Sequence, residues 1–407
     1  MSIYKNIYFE SFVPVDKFKN FKNQNKKFLN YLIEKTKDNI KKDQNIFNSF
    51  SREFKLNFNL NELTRYKKFK RIITIGLGGS ILGAQAINFF LKKKTKKELI
   101  FVNNLEVNQI NKLNKIKNLE NSLFIIISKS GNTLEVLSVI NSLKNKANFN
   151  QKNSLIITEN KRSFLSSFAQ KLKIKIIFHR KYIGGRYSVF SETALVPCFL
   201  SDINIVKLKK NILKFLYAKK TILIKNLINL LKIYNSKKIN SLILLNYSKE
   251  LEYFMLWCQQ LIAESLGKKG KGKLPSISVG PRDHHSLLQL YLDGPKDNFF
   301  YIFSLKNKKK TNKNKELFED ALNNKSMNEL LDNQKNAMIA LFKNKKIPFL
   351  SIEITKRDEE TIGELFSYFI LETVFVGEVL NINPFDQPAV EQLKILTKQN
   401  LFKKFQK

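Results

Sequence analysis

The chain has 407 residues, 43% apolar and 26% charged, which is enough to build two packed domains and excludes a disordered tail or a small stapled core. Its 72 Lys+Arg against 34 Asp+Glu give a formal charge of +38, which taken alone suggests nucleic acid. The basic residues are spread along the chain, however, with neither a single basic block nor a repeated base-stacking motif, so no specific nucleic-acid partner is expected.

Cys198 and Cys258 lie far apart in apolar stretches, so neither a disulfide framework nor a cysteine zinc site is expected. The amino terminus lacks a signal-peptide apolar region, and no uncharged apolar run reaches the roughly 18 residues of a membrane span. A soluble cytoplasmic protein without membrane contact is expected.

Residues 1–65 carry Phe28, Tyr31, Leu32 and Ile40 at mixed helical spacing among lysines and predict a helical wrap. From residue 71, five β-rich runs alternate with amphipathic segments: RIITIG (71–76), LIFVN (99–103), LFIIIS (123–128), SLIIT (154–158) and IKIIF (174–178). That alternation predicts a parallel, doubly wound sheet. A polar, lysine-rich helical stretch follows from about 202 to 238, then further strands at 241–246, 299–304 and 348–354.

Helical patterns cover 251–266, 315–343 and 361–380, and KNKKKTNKNK at 306–315 reads as an exposed loop. A last helix begins near Asp386, which can cap it, with Pro388 in its first turn. The expected fold is α/β, with two doubly wound parallel-sheet subdomains at 66–230 and 231–384. The wrap at 1–65 and a C-terminal helix at 385–407 lie outside them.

Six segments can carry chemistry. GLGGS (76–80) runs from a strand into a helix at a sheet crevice, where α/β folds bind ligands; Ile81 replaces the third glycine of a dinucleotide fingerprint, and a purely steric βα turn is the alternative. SKSGNTLEV (128–136) brings Ser128, Ser130 and Thr133 to a helix start, an arrangement that holds a phosphate without a metal and exceeds what a cap by Asn132 or Thr133 needs. GGRYSVFSETALVP (184–197) presents Arg186, either a surface charge or a cation opposite a developing oxyanion.

On the helix LEYFMLWCQQLIAESLG, Trp257, Leu261 and Glu264 share a stripe, and burial there suits a carboxylate to general-base work. GPRDHHSLLQLYLDGP (280–295) holds His284 and His285, whose adjacent positions are poorly suited to chelating one metal; one of them can instead shuttle a proton. In FDQPAVEQLKI, Gln387, Val390 and Lys394 share a helix face, with a solvated Lys394 as the alternative.

Together these blocks, in this order over about residues 70–400, resemble the glucose-6-phosphate isomerase (phosphoglucose isomerase) family. GLGGS-ILGA resembles its G-x-G-G-S block, SKSGNTLE its phosphate loop and GGRYSVFSETALVP its G-G-R-[YF]-S-V-x-S signature. QQLIAESLGKKGKGKLP and GPRDHHSLLQLYLDGP resemble its glutamate and histidine blocks.

The resemblance implies SIS-type subdomains and reversible interconversion of D-glucose 6-phosphate and D-fructose 6-phosphate through a cis-enediolate, with no cofactor and no metal. It implies that Ser128, Lys129 through its backbone N–H, Ser130 and Thr133 hold the sugar phosphate, with Gly79 and Ser80 lining the same site. Glu264 would be the base and Arg186 the cation beside the enediolate. His285 and Lys394 would open the ring, and Gln387 would contact substrate.

It also implies a homodimer in which the histidine reaches the partner's site. Acceptance of mannose 6-phosphate stays open, as does a phosphosugar-binding module without turnover. The chain departs from the family in reading D-H-H where D-Q-H is usual, and in placing Glu192 and Thr193 after the arginine.

Overall fold

The computed structural model describes residues 6–14, 18, 24–218, 222–306 and 325–403. The expected loop at 307–315 and the start of the helical pattern at 315–324 lie outside the described residues.

Two five-stranded sheets organise the chain. Strand β1 is Ile7–Phe12; β2 to β6 are Arg71–Ile75, Glu98–Val102, Leu123–Ile127, Ser154–Glu159 and Lys175–His179. β7 to β10 are Ser241–Asn246, Leu274–Val279, Asn298–Leu305 and Phe349–Ile354. The first sheet runs β3-β2-β4-β5-β6 and is wholly parallel. Its central strands β4 and β5 are buried along their length, which is why they read as unbroken apolar runs.

The second sheet runs β1-β10-β9-β7-β8, parallel except for β1, which pairs antiparallel with β10. Two strands depart from the sequence reading. β1 lies inside the segment expected to be all helix, and β8 falls where none was expected. Both are edge strands; Pro275 of β8 sits opposite Leu242, and a strand that pairs on only one side can carry a residue without an N–H.

Between the sheets lies a shared layer that includes helices Gly79–Phe90, Glu192–Leu200, Glu252–Leu266 and Glu359–Val379. The last is buried almost all round, its Glu364 and Glu372 included. Trp257 stacks on Phe254 at 5.6 Å and meets Phe366 edge-on at 4.5 Å, and each such buried ring contributes about 1.5–3 kcal/mol. The stretch read as polar at 202–238 forms short helices and then Ile222–Tyr234, whose Leu223, Leu227, Leu230 and Leu231 enter this core.

One buried carboxyl stands apart from any site. Glu372 is 2% exposed and accepts hydrogen bonds from Tyr301 and Tyr368, each at 2.8 Å. Burial pushes it up to about 7 from 4.5, although both phenols oppose the shift. The folded state therefore binds more protons than the unfolded one between those values, and stability falls as pH rises through that window. Wild type is expected to lose about 3 kcal/mol from pH 4.5 to 7.5 through this group, and Glu372→Gln to remove that part of the slope. Chemical unfolding at a series of pH values reads this directly, and identical slopes in both proteins would contradict it.

Candidate active site

The strand order of the first sheet reverses between β2 and β4, and the loops leaving these two strands flank the resulting crevice. After β2, Gly78 takes φ +52°, in the left-handed region, and the helix starts at Gly79. A Cβ at Gly79 would lie 2.3 Å from both Arg186 N and Gly185 C. Only glycine allows the two glycine-bearing segments to meet backbone to backbone, so the steric reading of GLGGS and the placement of Arg186 are one fact.

After β4, Ser128 Oγ lies 2.7 Å from Thr133 Oγ1, and Ser130 Oγ 3.5 Å from it. Helix Leu134–Ala147 has no side-chain cap: Thr133, at the cap position, faces Ser128, and Asn132 Oδ1 accepts from Phe164 N at 2.9 Å. The alternative cap by Asn132 or Thr133 is thus not made, and the first-turn N–H groups keep their capacity to donate to a partner. Burial lowers the Lys129 ammonium below the usual lysine range; Glu159 opposes this, and the charges of Lys161 and Arg186 add to it. Its Nζ donates to Lys181 O at 2.8 Å.

Arg186 is 2% exposed and uses its whole donor set. Nε donates to Ser265 Oγ at 2.9 Å; Nη1 to Glu264 Oε2 at 3.1 Å and Gln387 Oε1 at 2.7 Å; Nη2 to the carbonyls of Pro384 at 2.7 Å and Asp386 at 3.0 Å. Ser265 lies 2.8 Å from the Tyr187 hydroxyl, which donates to Pro384 O. Trp257 Nε1 donates to Arg186 O at 3.0 Å, so the apolar stripe on the glutamate helix fixes the arginine's backbone.

Glu264 is not enclosed by that stripe. Its side chain is 30% exposed, facing the guanidinium on one oxygen and Gln260 Nε2, at 2.9 Å, on the other. Gln260 and Ser265 were not anticipated. The i,i+4 spacing of Gln260 and Glu264 was available as a signal, whereas nothing local marks Ser265.

Gln387 sits just before helix Pro388–Lys403, not on it, and Asp386 does not cap that helix: its carboxylate accepts from Lys268 at 2.7 Å and Asn383 at 2.9 Å. Lys394 is exposed and paired with Glu391 at 2.6 Å, and His285 is exposed, so neither is brought into contact with Arg186 within the chain. His284 lies 2.7 Å from the Tyr247 hydroxyl. Burial and then the charge of His285 lower it below the usual histidine range, and burial raises the phenol.

Glu192, close to Arg186 in sequence, turns away from it. It accepts from Arg180 at 2.7 Å and Asn57 N at 3.2 Å and lies 3.3 Å from His179, where it ties β6 to the N-terminal segment. Burial pushes its carboxyl up, but hydrogen bonds from His179 and backbone N–H groups outweigh this and hold it below the usual carboxylate range. Among the described residues no three His, Cys, Asp or Glu side chains converge as a metal site would need.

Known proteins share this arrangement of sequence and fold. The sequence model described as "Phosphoglucose isomerase" matches residues 38–404. A glucose-6-phosphate isomerase of Campylobacter jejuni is 34% identical over 82% of this chain and 85% of its own, and one of Methanocaldococcus jannaschii is 31% identical over 83% and 85%. Among solved structures, a glucose-6-phosphate isomerase from Chlamydia trachomatis superposes with a TM-score of 0.77 at 18% identity, covering 97% of this chain and 88% of that one. A hypothetical protein from Thermus thermophilus reaches 0.84 at 21% identity over 97% and 100%. The sequence match over most of the chain, together with the glycine contact that joins its motifs, establishes that this chain belongs to the phosphoglucose isomerase family.

Proposed function

We propose that the protein is an aldose–ketose isomerase that interconverts D-glucose 6-phosphate and D-fructose 6-phosphate in the cytoplasm. The observation that carries this reading is the Glu264–Arg186 pair at 3.1 Å, next to the GLGGS loop and at the same end of the sheet as the uncapped phosphate loop. The sugar phosphate is held by the hydroxyls of Ser128, Ser130 and Thr133 and by the N–H of Lys129, with Gly79 and Ser80 along the same wall.

Glu264 removes the proton from C2 and returns it to C1, while O1 gains a proton and O2 loses one. Arg186 Nη1, already turned toward Glu264 and Gln387, offsets the charge on the enediolate oxygen. Ring opening falls to His285 and Lys394, and Gln387 contacts substrate.

His285 is exposed, which supports a homodimer in which each histidine serves the partner's site. Lys394 lies six residues past Pro388, about 9 Å along the helix from its start beside Gln387. That helix leaves Val390, Leu393 and Leu396 exposed, a face suited to a second copy. No helix among the described residues is long and apolar enough to cross a membrane.

Purified protein is expected to convert either sugar phosphate in a coupled assay, and Ser128→Ala/Thr133→Val to raise KM about tenfold or more with a smaller change in kcat, because two hydrogen bonds to a charged group are lost. Absence of conversion would overturn the proposal. Mixing His285→Ala with Glu264→Gln is expected to restore activity, since a hybrid dimer contains one intact site; no recovery on mixing would refute the shared site.

A further inference from the structure

At the far ends of the first sheet's strands from the phosphate loop lies a cavity of about 370 Å³, lined by Arg65, Lys68, Gln151, Lys152, Lys173 and Lys175. Lys68 precedes β2, Gln151 and Lys152 precede β5, Lys173 precedes β6 and Lys175 opens it, so the parallel strands separate this cavity from the candidate active site by their own length. Five of its six lining residues are cationic, against 72 of 407 in the whole chain, so the general lysine content does not explain the cluster.

We propose that this cavity is a second anion site, taking a compact chain of phosphates, either free or carried on a nucleotide. Its volume falls within the range of small-ligand pockets, about 300–1,000 Å³, and a triphosphate fits it. Convergent like charges repel one another when the cavity holds only water, and a multiply charged anion removes that cost while gaining charge-assisted hydrogen bonds.

Part of the lining is held in place. Arg65 lies over the Tyr66 ring at 4.8 Å and donates to its hydroxyl at 2.9 Å, and that hydroxyl donates to Gln151 O at 3.4 Å. Tyr66 is 1% exposed, so a buried ring ties the two lining segments together. Lys173 adopts φ +52°, a strained backbone for a lysine, where the chain turns into β6. Among the described residues the one carboxylate that pairs with a lining residue is Glu62, on Lys175, and Lys68, Lys152 and Lys173 have no carboxylate partner.

The test is calorimetric titration of tripolyphosphate and of adenosine triphosphate, at 0.1 M salt, into wild type, Arg65→Gln/Lys173→Gln and a charge-matched control, Lys144→Gln/Lys146→Gln. The first pair is expected to lose one saturable component or weaken its Kd at least tenfold, with the control and the isomerase turnover unchanged. Equal affinity of the two ligands assigns the site to the phosphate chain alone, and tighter binding of the triphosphate nucleotide assigns it to a nucleotide. Equal weakening in both double variants, or no saturable binding to wild type, overturns the proposal.

Discussion

Replacing Glu264 with glutamine is expected to lower kcat about 10²- to 10⁴-fold, the range supplied by a positioned general base, while leaving KM and folding close to wild type. The amide cannot accept a proton from C2, yet it has nearly the shape of the carboxylate. Its carbonyl oxygen can still accept from Arg186 Nη1, as Oε2 does at 3.1 Å. Its new N–H₂ would then meet the N–H₂ of Gln260, now 2.9 Å from Oε1.

That conflict has a local solution. Gln260 Oε1 is buried without a hydrogen-bond partner among the described residues, so a flip of the Gln260 amide turns this free acceptor toward the new donor. Glu264→Gln still takes the carboxylate from buried Arg186, so a small fall in melting temperature is expected, but with the hydrogen bonds retained the loss of turnover should far exceed it. Steady-state kinetics in both directions, with a thermal melt on the same sample, measures this. Wild-type turnover would remove Glu264 from the reaction, and a fall in melting temperature matching the fall in activity would make it a structural ion-pair partner only.

The difference between what the sequence made legible and what it hid follows the range of the interactions. β4, β5 and β7 were readable because burial on both faces demands an unbroken apolar run. β8 was not, since an edge strand tolerates Pro275, Ser276 and Ser278. The cluster of hydroxyls at Ser128, Ser130 and Thr133 was readable because they are local to one turn. Arg186 was visible as a residue but not as a hub: all five of its bonds go to residues 78 to 201 positions away, and no periodicity reports such contacts. Glu192 stands six residues after Arg186, yet the 3-10 turn Gly185–Phe190 and the helix that follows carry it against His179 and Arg180.

Arg186→Lys is expected to cost about 10²- to 10³-fold in kcat although it keeps the positive charge. A guanidinium offers five donors in a rigid fork and an ammonium three, so at least two of the five acceptors now satisfied by Arg186 would lose their partner. The carbonyls of Pro384 and Asp386 are the fixed points that hold Gln387 and the start of the last helix against the site. A shorter, non-planar head cannot reach these carbonyls and Glu264 together, so either the charge leaves the base or the last segment loosens.

Arg186→Ala should add a loss of stability. Breaking a buried ion pair costs about 3–5 kcal/mol, and the partial exposure of Glu264 places this case near the lower end, about 3 kcal/mol. The two variants separate the roles. If Arg186 only clamps the fold, kcat should follow melting temperature across Arg, Lys and Ala. If it also offsets charge on the enediolate oxygen, the lysine variant should lose far more turnover than stability, with KM changed less than kcat. A lysine variant with wild-type kcat would leave the guanidinium as a clamp and nothing more.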